Sequence, residues 1–370
     1  MENNFKTWYQ VADKKFVNIF NAFDESIKTK EFAHFCIDPD FYKALTSVSR
    51  PKNYSPDYIQ SLIAKQLRVL RKKYSYIRLA YTGGTDSHTI LKVAMDNKIY
   101  IDEIWTVLVS LKNDKEGDKE YLPGLTYAKQ FEGTLIGKVT TITPNIKDYW
   151  FRTIIDWWKN PKYLRGQYVS FRQDITSGYL NKLEKGITIV GTEKPFMFKK
   201  NKKWYWFTDD SPHGEFMGLP NIYSMYMDKN NPELPVAQTY ASLDFMKNKK
   251  NIGEKNIEDR VEFKFENLNN INRLECFKKL GCYILTKDLG LARYGKGVVQ
   301  FNNQKHQFAK KELIAMNRSD IVEKWLQTNL EIYEEYKNYP YMVELKDQKY
   351  VKTVNRYSKF LEITDTGLKI

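Results

Sequence analysis

The spacing of apolar residues changes character twice along the chain. Before residue 55 it holds no steady period: aromatic-rich segments at 16–23 and 32–42 alternate with polar stretches, and residues 1–54 read as an N-terminal extension. From Ser55 the pattern is helical, with Ile59, Leu62, Ile63, Leu67 and Leu70 on one face. Ser55 can cap this helix, Pro56 suits its first position, and Asp57 complements the helix dipole. Lys65, Arg68, Arg71, Lys72 and Lys73 place positive charge towards its C-terminal half. Short apolar runs then alternate with helical stretches. Strands are predicted at 76–81, 104–109, 135–142 and 187–190, and helices at 87–97, 121–131, 148–159 and 171–184. Strands alternating with helices point to crossover units and a parallel sheet with helices on both faces.

Beyond Pro195 the alternation stops. Residues 196–198 and 204–207 flank a Lys-rich stretch, which predicts a hairpin with a basic tip. A loop is expected over 209–235, and the remainder reads as mainly helical, with helices near 310–316 and 320–336. The expected division is therefore an extension at 1–54, an α/β domain at 55–235 and a mainly helical region at 236–370 that binds a substrate or partner.

At 370 residues the chain is long enough for two or three domains, and 42% hydrophobic residues suffice for a large core. Fifty-nine basic against 45 acidic residues give a net charge of +14, which favours anionic partners such as nucleotides or nucleic acid. Three cysteines, Cys36, Cys276 and Cys282, match neither a disulfide framework nor a zinc site, and Cys276 and Cys282 are read as buried or inert. The four histidines are scattered. No apolar run approaches the ~18 residues of a membrane span and no signal peptide is evident, so a cytoplasmic protein without a membrane partner is expected. The Lys-, Asn- and Tyr-rich composition suggests an AT-rich bacterial or phage genome.

The segment that carries chemistry is Tyr81-Thr82-Gly83-Gly84-Thr85-Asp86-Ser87, which follows a predicted strand and opens a predicted helix. Two glycines let the backbone turn sharply and approach a ligand. The amides of Gly84, Thr85, Asp86 and Ser87 can then form an anion-binding nest, with Thr82, Thr85 and Ser87 adding hydroxyls. A carboxylate beside phosphates is repulsive unless a cation lies between them, so Asp86 points to magnesium. The alternative is a tight strand-to-helix turn in which Asp86 and Ser87 act as caps. Neither a Walker-type P-loop nor a dinucleotide fingerprint is present.

This segment resembles the Ser-Gly-Gly-x-Asp-Ser signature of the PP-loop ATP pyrophosphatases, the adenine nucleotide alpha hydrolase-like superfamily, and looks nearest to the synthetase domains of asparagine synthetases. The matching positions are Thr82, Gly83, Gly84, Asp86 and Ser87, with Thr82 in place of the usual first serine. The resemblance covers roughly residues 55–200. It implies a five-stranded parallel, doubly wound sheet with ATP at its C-terminal edge. It also implies a ligase that adenylates a substrate, releases pyrophosphate, and lets a nitrogen nucleophile displace AMP. Backbone at Val107, Leu108 and Val109 would hold adenine. Gly191-Thr192-Glu193-Lys194-Pro195 resembles the second loop of asparagine synthetase-type domains, with Lys194 near the α-phosphate and Glu193 near magnesium or an acceptor amine. Residue 2 is not the cysteine of an N-terminal glutaminase, so the nitrogen donor is expected to be ammonia, a substrate amine or a separate ammonia-donating subunit. Two other readings keep the fold: modification of a tRNA or phage DNA base, and nucleotide binding without turnover.

Weaker candidates are read mostly as structural. His88 is a phosphate or acceptor contact, or a plain helix-face residue. Asp209, Asp210, His213 and Glu215 form an acidic loop cluster, and 293–297 is a basic, flexible segment that could close over pyrophosphate. The Lys-rich tip at 199–203 beside Trp204, Tyr205 and Trp206 could bind RNA by charge and stacking.

Overall fold

A computed structural model describes residues 6–16, 22, 25, 28–29, 31, 33–107, 118–142, 186–191, 196–200, 202–208, 221–247, 278–283, 354–355 and 358–370. The expected helices at 148–159, 171–184, 310–316 and 320–336 lie outside these residues.

The N-terminal residues form strands β1 (Thr7–Val11), β2 (Lys14–Phe16) and β3 (Ala33–Ile37), then helix α1 (Pro39–Ser47). Asp38 caps α1 by accepting from Asp40 N, and Pro39 takes its first turn. Tyr9, Val11, Ala33, Phe35 and Ile37 are buried, so the short strands alternate as half-buried sheet strands do. The expected extension is thus a folded sheet, whose fourth strand, β11 (Val354–Asn355), comes from near the C-terminus and pairs parallel with β3.

Helix α2 (Pro56–Lys73) starts as the sequence predicts, with the Ser55 hydroxyl accepting from Tyr58 N, and its apolar stripe is buried. Five parallel strands follow: β4 (Ile77–Ala80), β5 (Ile101–Val107), β6 (Ile136–Ile142), β7 (Ile187–Val190) and β10 (Ile222–Ser224). Helices α3 (Thr85–Asp96) and α4 (Asp118–Lys129) connect the first three. This is an α/β unit, and its spatial order is β10-β7-β4-β5-β6. The chain steps outward from β4 through β5 to β6, then returns to the other side of β4 for β7 and β10. The order therefore reverses at β4.

One row across the sheet is polar. The Glu103 carboxylate, 2% exposed, accepts from Arg78 Nε at 2.7 Å, the Tyr76 hydroxyl at 2.8 Å and the Thr140 hydroxyl at 2.6 Å. Burial alone would raise its pKa; the bonds from Thr140, Arg78 and Tyr76 outweigh this and hold it below the usual carboxylate value.

The hairpin of β8 (Phe196–Lys200) and β9 (Lys203–Phe207) forms where the sequence predicts it, with Lys202 at positive φ in its tip. It is extended by β12 (Leu361–Ile363) and β13 (Leu368–Lys369). These last strands depart from the helical expectation: Leu361, Ile363 and Leu368 are buried, a period-two pattern too short to stand out in the sequence.

Helix α5 (Glu233–Lys247) is a second departure. The expected loop ends at 235, yet Pro235 lies in the first turn of this helix, where proline is tolerated. Position 235 thus falls inside a helix buried on nearly every face. Buried apolar side chains of all three sheets join in one contiguous cluster. Among the described residues, no helix is long and apolar enough to cross a membrane.

Candidate functional site

Residues 81–87 join β4 to α3 at the C-terminal end of β4, where the strand order reverses. Gly83 has φ +76°, a left-handed conformation that disfavours any side chain. Gly84 is the N-cap of α3 and supplies no capping hydrogen bond. The first bond into the helix is His88 N to Gly84 O at 2.8 Å. The amides of Thr85, Asp86 and Ser87 therefore form a first turn with no side-chain cap from Gly84.

Two of the three hydroxyls, those of Thr82 and Ser87, have a different task from the one the sequence suggests. Ser87 Oγ accepts from Thr82 N at 3.2 Å and reaches Gly84 O at 3.3 Å, while Thr82 Oγ1 accepts from Gly84 N at 3.1 Å. The two hydroxyl oxygens are themselves 3.2 Å apart. Thr82 and Ser87 thus tie the loop to itself, and the Gly84 amide points inward to Thr82 instead of joining the anion nest. The nest narrows to the first turn of α3. Thr82 does this with its hydroxyl, a task that serine could fill equally well. Thr85 and Asp86 are partly exposed and Ser87 is buried.

Three distant segments frame this loop. Gly191, just after β7, lies so close that a Cβ there would stand 2.9 Å from Ser87 N and 3.0 Å from Asp86 C. Tyr226, just after β10, donates its hydroxyl to Asp86 O at 3.0 Å. Gly124 of α4 lies against the loop glycine itself: a Cβ there would stand 2.7 Å from Gly83 Cα and 3.2 Å from Tyr81 Cε1.

His88, next to the motif, turns away from a ligand role. It is 3% exposed, its Nδ1 is 2.9 Å from the Tyr81 hydroxyl, and its ring meets Tyr127 of α4 edge-on at 4.8 Å. Burial, and secondarily the charge of Lys92, pushes its pKa down to about 4.

Of the other predicted site residues, Val107 ends β5 at the same C-terminal edge as the loop. Leu108, Val109, Glu193 and Lys194 lie outside the described residues, as do the acidic cluster at 209–215, the basic segment at 293–297 and Cys276. Cys282 is buried. The RNA-stacking idea for the hairpin fails at two of its three aromatics: Trp204 and Trp206 are buried in the core and offer no face to a base. They flank a lysine run, yet strand alternation turns them inward, Trp206 packing against Phe41 and Tyr42.

Gly124 and Tyr226 were not legible as site residues. Gly124 did leave a signal, since Pro123-Gly124 inside a helical pattern is unfavourable unless something requires it. No protein-family model matches this chain, and no curated protein matches it.

Proposed function

We propose that this chain is a PP-loop ATP pyrophosphatase, a synthetase that forms AMP and pyrophosphate while adenylating a substrate for attack by a nitrogen nucleophile. One observation carries the reading. The Gly-Gly loop leads into a first turn of α3 that receives no side-chain cap from Gly84, at the point where a five-stranded parallel sheet reverses its order. Open α/β sheets bind ligands at that point, and phosphates favour such helix N-termini. The same strand order, with helices on both faces, is what a doubly wound sheet of this superfamily would have.

Thr85, Asp86 and Ser87 amides would hold the phosphates, and the positive end of α3 would stabilise charge on the departing pyrophosphate. The backbone after β5, from Val107 through Leu108 and Val109, would take adenine. A substrate oxygen attacks the α-phosphorus, the bond to the β-phosphate breaks, and pyrophosphate leaves. A nitrogen nucleophile then attacks the adenylated centre and AMP departs. Lys194 and Glu193 are the residues we assign to the α-phosphate and the acceptor.

Magnesium suits the donor set. Among the described residues no group of three or more His, Cys, Asp or Glu could hold a metal alone. Magnesium instead takes one or two carboxylates plus phosphate oxygens and water, which a single partly exposed Asp86 can complete. When bound, magnesium neutralises phosphate charge.

The test is nucleotide chromatography after incubation with ATP and magnesium. AMP and pyrophosphate from the wild type, lost in Asp86→Ala, are expected; ADP and phosphate would overturn the reading.

A second reading, action on a nucleic-acid base, has one specific support. Lys65, Arg68 and Lys72 recur at helical spacing on the exposed face of α2, next to exposed Lys73, and none forms an ion pair with a described residue. Binding of this kind weakens steeply with salt, and salt-independent binding would remove it.

A further inference from the structure

We infer that Gly124 and Tyr226 are positioning residues for the Gly83–Gly84 loop, so that pyrophosphate and ATP affinity depend on a helix and a strand end that touch neither. The inference rests on the nucleotide-binding reading of that loop and goes beyond it, since neither residue belongs to the motif.

The loop has little internal means of holding its shape. Its own bonds run between Thr82, Gly84 and Ser87 at 3.1–3.3 Å, the long end of the hydrogen-bond range. Gly83 sits in a left-handed conformation with no side chain to anchor it. Restraint has to come from outside, and α4 supplies it twice. Gly124 brings the α4 backbone onto Gly83, and Tyr127, one turn further along the same helix, meets the buried His88 ring. His88 in turn bonds the hydroxyl of Tyr81, the residue that enters the loop. One helix thus touches the loop at its glycine and braces the residues on either side of it. On the opposite flank, the buried Tyr226 hydroxyl fixes the carbonyl of Asp86.

The close approach explains the glycine of an otherwise costly Pro-Gly pair. Proline and glycine inside a helix are unfavourable by about 3 and about 1 kcal/mol relative to alanine. Pro123 and Gly124 both lie within α4. A methyl group at 124 would stand 2.7 Å from Gly83 Cα, against the ~3.5–4.0 Å at which carbon atoms rest. Backbone faces backbone, so no rotamer change relieves the clash. The loop or the helix must move by about 1 Å, a displacement that can cost on the order of a hundredfold in rate where reacting groups have to be held in line.

The experiment measures binding of magnesium pyrophosphate by calorimetry, beside the urea midpoint, for wild type, Gly124→Ala, Tyr226→Phe and Val11→Ala. Val11 is buried in the N-terminal sheet and serves as the control for lost stability alone. Gly124→Ala is expected to weaken pyrophosphate at least tenfold and Tyr226→Phe at least threefold, while Val11→Ala stays within twofold. If Gly124→Ala does not fold, Tyr226→Phe, which removes one oxygen, carries the same comparison. Variants that bind within twofold of wild type, or no more weakly than Val11→Ala, overturn the positioning role. A wild type that binds neither pyrophosphate nor ATP overturns the nucleotide reading itself, and the inference with it.

Discussion

Protonation of His88 should set how this fold responds to mild acid. In the native chain its pKa is pushed down to about 4, chiefly by burial. In the unfolded chain an imidazole titrates near 6.5. Between these values the unfolded chain takes up a proton that the native fold refuses, so acid favours unfolding. Stability is unaffected by this group above about pH 6.5 and falls as pH drops towards about 4. Each pKa unit corresponds to about 1.4 kcal/mol, which gives a loss of about 2 kcal/mol at about pH 5 and about 3 kcal/mol below about pH 4. The perturbation that isolates it is His88→Phe with Tyr81→Phe. This pair keeps both rings and removes the buried polar partners together, leaving neither unsatisfied. Urea unfolding at about pH 7.5 and about pH 5 should show the wild type losing about 2 kcal/mol more than the double variant. Equal losses, or a His88 NMR titration centred near 6.5, would refute the reasoning, because either requires an imidazole that reaches water.

Glu103→Ala should destabilise the fold by about 3–5 kcal/mol in thermal or urea unfolding, since it strands the Arg78 guanidinium, 12% exposed, beside two partly buried hydroxyl donors. Its depressed pKa adds stability above the ordinary carboxylate value that is lost as pH falls through the native one, so Glu103→Gln should flatten the acid limb of a stability profile. Thr82→Ser should bind ATP as the wild type does, whereas Thr82→Val, which loses the acceptor for Gly84 N, should bind at least fivefold more weakly by calorimetry. Leu361→Ala, at a fully buried position of β12, should cost about 2–5 kcal/mol and lower the melting midpoint.

The parts read correctly from sequence are those where one local rule dominates. Strand β7 is an unbroken run of β-branched residues bounded by Gly186 and Gly191, and its predicted and observed limits coincide. Helix α2 carries cap, proline, stripe and charge gradient in agreement. The parts missed are those set by partners far along the chain. Strands β11, β12 and β13 are two or three residues each and exist because β3 and β9 offer edges to them. Helix α5 is apolar on almost every side, so no amphipathic period marks it, and Pro235 masks its start. Within the site the motif itself was legible. The inward turn of the Gly84 amide was not, because it depends on where two hydroxyls five residues apart meet in space.

The two readings of the loop, a tight turn or an anion cradle, make different demands on its surroundings. A helix that only has to start is best served by Ser, Thr, Asp or Asn at the N-cap, although glycine there costs only a few tenths of a kcal/mol. Here that position is Gly84, and the nearby hydroxyl of Ser87 faces back to Thr82 instead of forward to the first-turn amides. A turn that only links a strand to a helix also has no need of a fixed loop shape beyond what the long bonds of Thr82 and Ser87 give it. Yet β7, β10 and α4 each bring a residue to it, two of them glycines whose only contribution is room for close approach. Holding an uncapped helix end in fixed geometry from three sides is costly for a turn and useful for a binding site, because the missing cap is then supplied by the ligand's own negative oxygens.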